Sequence, residues 1–114
     1  MAINKYRAKQ FRKYIDESEE ILSTAYNQSI LGDETERYCL TKTRIGILQK
    51  PGLIKWEYKD IPIGQIKGAI IDEGVFKSHI VLTKTDDTEI QLLNIENSDA
   101  SDFFDKIKKN LYNI

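Results

Sequence analysis

His79 and Cys39 are the only histidine and the only cysteine in this sequence. They are therefore its only candidates for an imidazole base, a thiol nucleophile or the softer ligands of a zinc site. Zinc sites normally gather several such ligands, and no H-x-x-x-H or C-x-x-C spacing occurs here. A Cys–His dyad would need the two residues to meet across a sheet. The simpler reading puts Cys39 in or near the core, as a small hydrophobe, and His79 on a strand facing solvent. The acidic pairs Asp72/Glu73 and Asp86/Asp87 lack the spacing of a calcium loop and read as solvated strand ends and turns. No G-x-S-x-G elbow, P-loop or G-x-G-x-x-G fingerprint is present. The expectation is a non-enzymatic protein with no cofactor and no metal.

Binding chemistry has more candidates. Trp56 and Tyr58 alternate with charges and could anchor a partner if exposed. A core of this size needs large residues, so the expectation is that both face inward with Ile54. Lys5, Arg7, Lys9, Arg12 and Lys13 place five positive charges before the first acid, Asp16. Together with Phe11 they form the candidate binding surface, and Tyr6 and Tyr14 add aromatic contact. Against an anionic membrane, five such charges could supply up to about 5 kcal/mol at low salt. Contact with a nucleic-acid backbone is a second reading. A third is a helix that packs on the rest of the domain or on a second subunit, its charges solvated.

The chain has 114 residues, which suits one domain with a real core. It is 40% hydrophobic and 31% charged, as ordinary globular domains are. The net charge is −1, and beyond residue 13 twelve basic residues face eighteen acidic ones. That balance argues against nucleic acid as the partner. One cysteine allows no internal disulfide, and no apolar stretch follows the N-terminal charges as in a secretory signal. No long apolar run could span a membrane. A cytoplasmic protein, at most peripheral to a membrane, is expected.

The elements follow from periodicity. Residues 3–15 carry Ile3, Tyr6, Phe11, Tyr14 and Ile15 on one half of a helical wheel, which predicts a short N-terminal helix. Such a helix is marginal alone and must pack on something. The period then changes. Strands are expected at 21–31, 35–41, 44–49, 54–59, 66–72, 77–84 and 88–95, separated by turn signals such as Pro51-Gly52 and Glu73-Gly74. Helical period returns over 99–112, where Ala100, Phe103, Phe104, Ile107 and Leu111 share a face and Ser98 is the expected N-cap. Burying the four large residues of that face contributes on the order of 6–12 kcal/mol before entropy is subtracted, so this helix belongs to the core.

Seven strands followed by one amphipathic helix is the element order of pleckstrin-homology (PH) folds. The stretch Cys39-Leu40-Thr41-Lys42-Thr43-Arg44-Ile45-Gly46-Ile47 resembles the strand–"T-x-x-R"–strand hairpin of bacterial PH-like domains. Ile61-Pro62-Ile63-Gly64-Gln65-Ile66 resembles their "I-P-x-x-x-I" segment. Ile80 to Thr83, Glu89 to Leu92 and the Phe103/Phe104/Ile107 helix complete the pattern. The resemblance covers about residues 19–113 and is closest to the YokE-like group. It implies a seven-stranded antiparallel barrel or sandwich, mainly β with α, capped at one end by the C-terminal helix. Residues 1–18 read as a basic N-terminal helix with an acidic connector, and residues 19–114 as the PH-like domain.

Phosphoinositide-binding PH domains cluster Lys and Arg around the first hairpin loop. Here Leu31-Gly32-Asp33-Glu34-Thr35-Glu36 is acidic, and so on balance is Lys84-Thr85-Asp86-Asp87-Thr88. Like charge would repel phosphate at that end. The functional expectation is a module binding a protein partner or a second copy of itself, with an anionic membrane surface as the alternative.

Overall fold

The computed structural model describes residues 5–28, 34–50 and 55–112, with side chains for all of these but Lys5, Tyr6, Gln28, Glu34 and Thr35. The elements run in the order α1 (Lys5–Phe11), β1 (Ile21–Gln28), β2 (Glu34–Thr41), β3 (Arg44–Gln49), β4 (Glu57–Pro62), a 3-10 turn (Ile63–Gln65), β5 (Ile66–Glu73), β6 (Lys77–Lys84), β7 (Glu89–Glu96) and α2 (Asn97–Tyr112). The expected first hairpin loop at 31–33 and the turn at Pro51-Gly52 lie outside the described residues.

Alternation builds the sheet. In β6 the side chains of Ser78, Ile80 and Leu82 are buried while those between them are half-buried, the period-2 pattern of a strand with one face on a core. All seven strands are antiparallel in the order β4-β3-β2-β1-β7-β6-β5. Strands β1 to β4 form one half and β5 to β7 the other. The halves meet where Asn27 pairs with Ile95. Buried Asn27 pins this corner, its Nδ2 donating to the Leu93 carbonyl at 2.7 Å. Register shifts in β1 and β7 bend the sheet around the core.

The inner face contributes Tyr38, Leu40, Ile45, Ile47 and Ile61 from one half, and Ile66, Ile80, Leu82, Leu92 and Ile95 from the other. Helix α2 closes this core and packs on strands of both halves. Ala100, Phe103 and Ile107 are fully buried. Phe104 is only partly buried, with the Lys108 ammonium 5.1 Å from its ring centre, so one phenylalanine plugs the core and the other flanks it. The PH-like architecture expected from the sequence is the one observed.

Three details differ from expectation. Strand β4 starts three residues later, at Glu57, and ends on Pro62. A terminal position on an edge strand is where a proline costs no ladder hydrogen bond. Helix α2 begins at Asn97, so Ser98 is not its N-cap; the Ser98 hydroxyl donates to the Glu96 carboxylate at 3.1 Å. Helix α1 ends at Phe11, and the chain continues as turns in which the Tyr14 and Ile15 amides both donate to the Phe11 carbonyl at 2.9 Å.

Candidate functional site

The outer face of the β1 to β4 half is covered by its own N-terminus. Phe11 and Ile15 are buried there with Ile21, Cys39 and Leu48, and Ala8, Trp56 and Tyr58 pack against them. The expectation that Trp56 and Tyr58 face the barrel interior is therefore not met: both pack in this outer cluster, and Ile54, expected to turn inward with them, lies outside the described residues. In β4, Ile61 takes the inward position opposite Ile45, and Tyr58, opposite Leu48, points outward beneath the N-terminal segment. The Tyr14 ring stacks on Tyr58 with centroids 4.6 Å apart and planes within 5°. The Arg37 guanidinium lies 4.4 Å from the Trp56 ring centre. Gln10, Lys13, Tyr14, Arg37, Leu48 and Trp56 leave a small cleft of about 170 Å³ between helix and sheet.

The candidate surface of Lys5, Arg7, Lys9, Phe11, Arg12 and Lys13 is divided by this docking. Phe11 has no exposed area, so it supplies packing rather than contact with a partner. Arg7 pairs with Asp99 at 2.9 Å and sits 3.5 Å from the Tyr26 ring centre. The Arg12 guanidinium donates to the backbone carbonyls of Asp16 and Glu19 at 2.7 and 2.8 Å. Lys9 and Lys13 are exposed. Lys5 opens α1, and its side chain is outside the described residues.

The "T-x-x-R" hairpin is an architectural clasp. The Thr41 hydroxyl accepts from the Thr43 and Arg44 amides at 3.2 and 3.1 Å and so shapes the turn. Arg44 then reaches back across the outer face. Its guanidinium makes two 3.1 Å bonds to the Glu19 carboxylate and one of 2.8 Å to Asp60. Burial works to raise the Glu19 carboxyl, but the Thr41 hydroxyl and Arg44 outweigh it and hold it below its ordinary range. Cys39 lies in the same outer cluster, fully buried, and burial pushes its thiol up to about 12. His79 is on the other half of the sheet, where its Nδ1 accepts from the Asn94 amide at 3.1 Å. The two residues do not meet. Among the described residues no three His, Cys, Asp or Glu gather into a group that could hold a metal.

Two features go beyond the sequence reading. The first is what the turn between β5 and β6, expected at Glu73-Gly74, carries at its tip. Gly74 donates to the Lys77 carbonyl at 2.9 Å, which leaves Val75 and Phe76 as the two central residues, 84% and 78% exposed. Hairpin turns favour Gly, Asn or Asp at such positions, so folding gives no reason for two large apolar side chains. The turn is nonetheless firmly held. The Asn97 side chain donates to the Gly74 and Val75 carbonyls at 3.1 and 3.0 Å, its amide donates to the Phe76 carbonyl at 3.2 Å, and its Oδ1 accepts from Ser78 at 2.5 Å. A Cβ on Gly74 would stand 2.5 Å from the Lys77 carbonyl oxygen, so the turn also depends on glycine there. Exposed carboxylates flank it: Asp72, Glu73 and Glu96, with half-buried Lys77 among them. The available signal was an apolar pair directly after a turn glycine, within a run of charges.

The second is a cleft of about 470 Å³ lined by Leu22, Lys42, Lys106, Lys109 and Asn110. It lies where the β2–β3 turn meets α2, and Asn110 ties the two by donating to the Thr41 carbonyl at 2.9 Å. Lys106 is shared with Asp102 at 3.3 Å, while Lys42 and Lys109 take part in no ion pair among the described residues.

A family model described as the bacterial PH domain matches residues 15–109. No curated protein and no solved structure matches the chain.

Proposed function

Because this chain belongs to the bacterial PH domain family, we propose that it is a non-enzymatic protein-binding module whose contact element is the turn between β5 and β6. The family supports a binding role in general. The observation that carries the finer reading is the exposed pair Val75 and Phe76, on a turn that Asn97 holds in place. Burying both in a partner would contribute about 3–6 kcal/mol before the costs of association. Little conformational entropy is lost in the process, because the turn is already ordered.

The same turn is poorly suited to an anionic bilayer, since Asp72, Glu73 and Glu96 would meet like charge. The membrane reading through the N-terminal segment has less support than composition suggested. Arg7 and Arg12 are engaged within the chain, which leaves Lys5, Lys9 and Lys13, and three such charges would supply about 3 kcal/mol rather than about 5. No described helix is long and apolar enough to cross a membrane.

The test is site-specific photo-crosslinking in the native host, with a photoreactive residue at position 76 and a control at exposed Gln91. A discrete protein adduct at position 76 and none at 91 is expected. The absence of any protein adduct at 76, or adducts only with lipid, would overturn the reading.

A further inference from the structure

We propose that the socket for the β5–β6 turn is the lysine-lined cleft of a second copy of this chain, so that molecules associate head to tail. The inference rests on the reading of Val75 and Phe76 as a contact element. The two surfaces complement each other in charge. The turn carries Asp72, Glu73 and Glu96 around its apolar tip, with Lys77 the cation among them. The cleft presents Lys42, Lys106 and Lys109 and, among the described residues, is lined by no acid, although Lys106 is shared with Asp102.

They also complement each other in kind. Leu22 and the methylene stems of three lysines offer apolar walls to Phe76 and Val75, while the ammonium groups can turn outward to the flanking carboxylates. A lysine over the Phe76 ring adds a cation–π contact. The helix dipole accounts for a lysine near the C-terminus of α2. It does not account for Lys42, which arrives from a different element.

One chain cannot satisfy both surfaces by itself. The turn is latched by Asn97, the first residue of α2, and the cleft is built around residues 106–110 of the same helix. At 1.5 Å per residue the two are roughly 15 Å apart along the helix axis. The turn of one copy must therefore enter the cleft of another. Such a contact joins different patches, and it repeats into a closed ring or a chain.

The test is sedimentation velocity on the full chain with two double variants at exposed positions. The tip variant is Val75→Ser with Phe76→Ser, and the cleft variant is Lys42→Glu with Lys109→Glu. Unchanged circular dichroism and thermal unfolding establish that each variant is folded. Wild type is expected to sediment as species larger than a monomer that shrink as salt is raised. Each variant alone is expected to be monomeric. Their equimolar mixture is expected to give a one-to-one dimer and nothing larger, because one intact tip fills one intact cleft.

A wild type that stays monomeric at high concentration overturns the proposal. So does a cleft variant that still assembles, or a mixture that stays monomeric. The crosslink at position 76 separates this failure from that of the underlying reading. An adduct with a different protein, together with monomeric wild type, removes the second copy but keeps the turn as a contact element. No protein adduct removes both.

Discussion

Gly46 shows how closely the outer face of the first half-sheet is packed. A Cβ built there would stand 2.9 Å from the Cys39 sulfur and 3.0 Å from the Tyr58 hydroxyl. Cys39 is its cross-strand neighbour in β2 and fully buried, so the sulfur cannot move out into solvent without disturbing the cluster around it. Gly46→Ala is expected to cost about 1–3 kcal/mol through overpacking, read as a lower urea midpoint at unchanged m-value. Gly64→Ala is the control. Nothing lies within 4 Å of its Cβ position, and its stability should stay within about 0.5 kcal/mol of wild type. An alanine at 46 that costs no more than the one at 64 would show that Cys39 and Tyr58 are free to move. At this scale the sequence singled out Thr41 and Arg44 through a motif but named no partners for them. Glu19 and Asp60, which Arg44 joins, lie 25 and 16 positions away. Spacing along the chain carries no signal for contacts at such separations.

Among the elements, the N-terminal segment depends most on its surroundings. Helix α1 has seven residues, too few to be stable alone in water. It persists because Phe11 and Ile15 bury themselves against Ile21, Cys39 and Leu48. Phe11→Ala should therefore cost about 3–5 kcal/mol. It should also loosen the cover over Trp56, the only tryptophan, and shift its fluorescence to longer wavelength. Lys9→Ala, at an exposed position, should change neither. A Phe11→Ala protein with unaltered Trp56 emission would mean that the helix does not shield this face. The strands were legible because alternation and turn residues are local signals. Strand β4 slipped because alternation marks which residues share a face but not where pairing with β3 stops. The expectation that Trp56 and Tyr58 face inward fails for a related reason. A two-sided sheet offers two apolar surfaces, and only the docked helix makes the outer one a core.

For the whole molecule, the buried hydroxyls and thiol set the pH range of stability. Burial raises the Cys39 thiol to about 12 and lifts the Tyr38 and Tyr58 hydroxyls above their ordinary value of 10. These groups are neutral when protonated, so the unfolded chain releases their protons at lower pH than the folded one. The stability they contribute is full below about pH 9, the ordinary thiol value, and is lost as pH rises from there through the folded value of about 12. Thermal unfolding across the alkaline range should show this fall, and Cys39→Ala should delay its onset. A melting temperature that stays flat well above pH 9 would contradict the burial. Glu19 acts in the opposite direction. Its depressed carboxyl contributes stability that is present above the ordinary carboxylate range and lost as pH falls through its folded value.

The sequence by itself determined the class of molecule: seven strands, a sealing amphipathic helix and the order that marks a bacterial PH domain. Hydrophobic periods of 2 and 3.6 are properties of neighbouring residues, so they can be read along the chain. Only the tertiary structure decided which surfaces remain free. It engaged Arg7 and Arg12 with partners within the chain, left Val75 and Phe76 bare on a latched turn, and brought Lys42 beside Lys106 and Lys109. Each outcome depends on which distant element covers a given face, and the pairing of Asn110 with Thr41 across 69 positions is one such case. Contacts of that range are set by how the packed elements fit together, not by any pattern between adjacent residues.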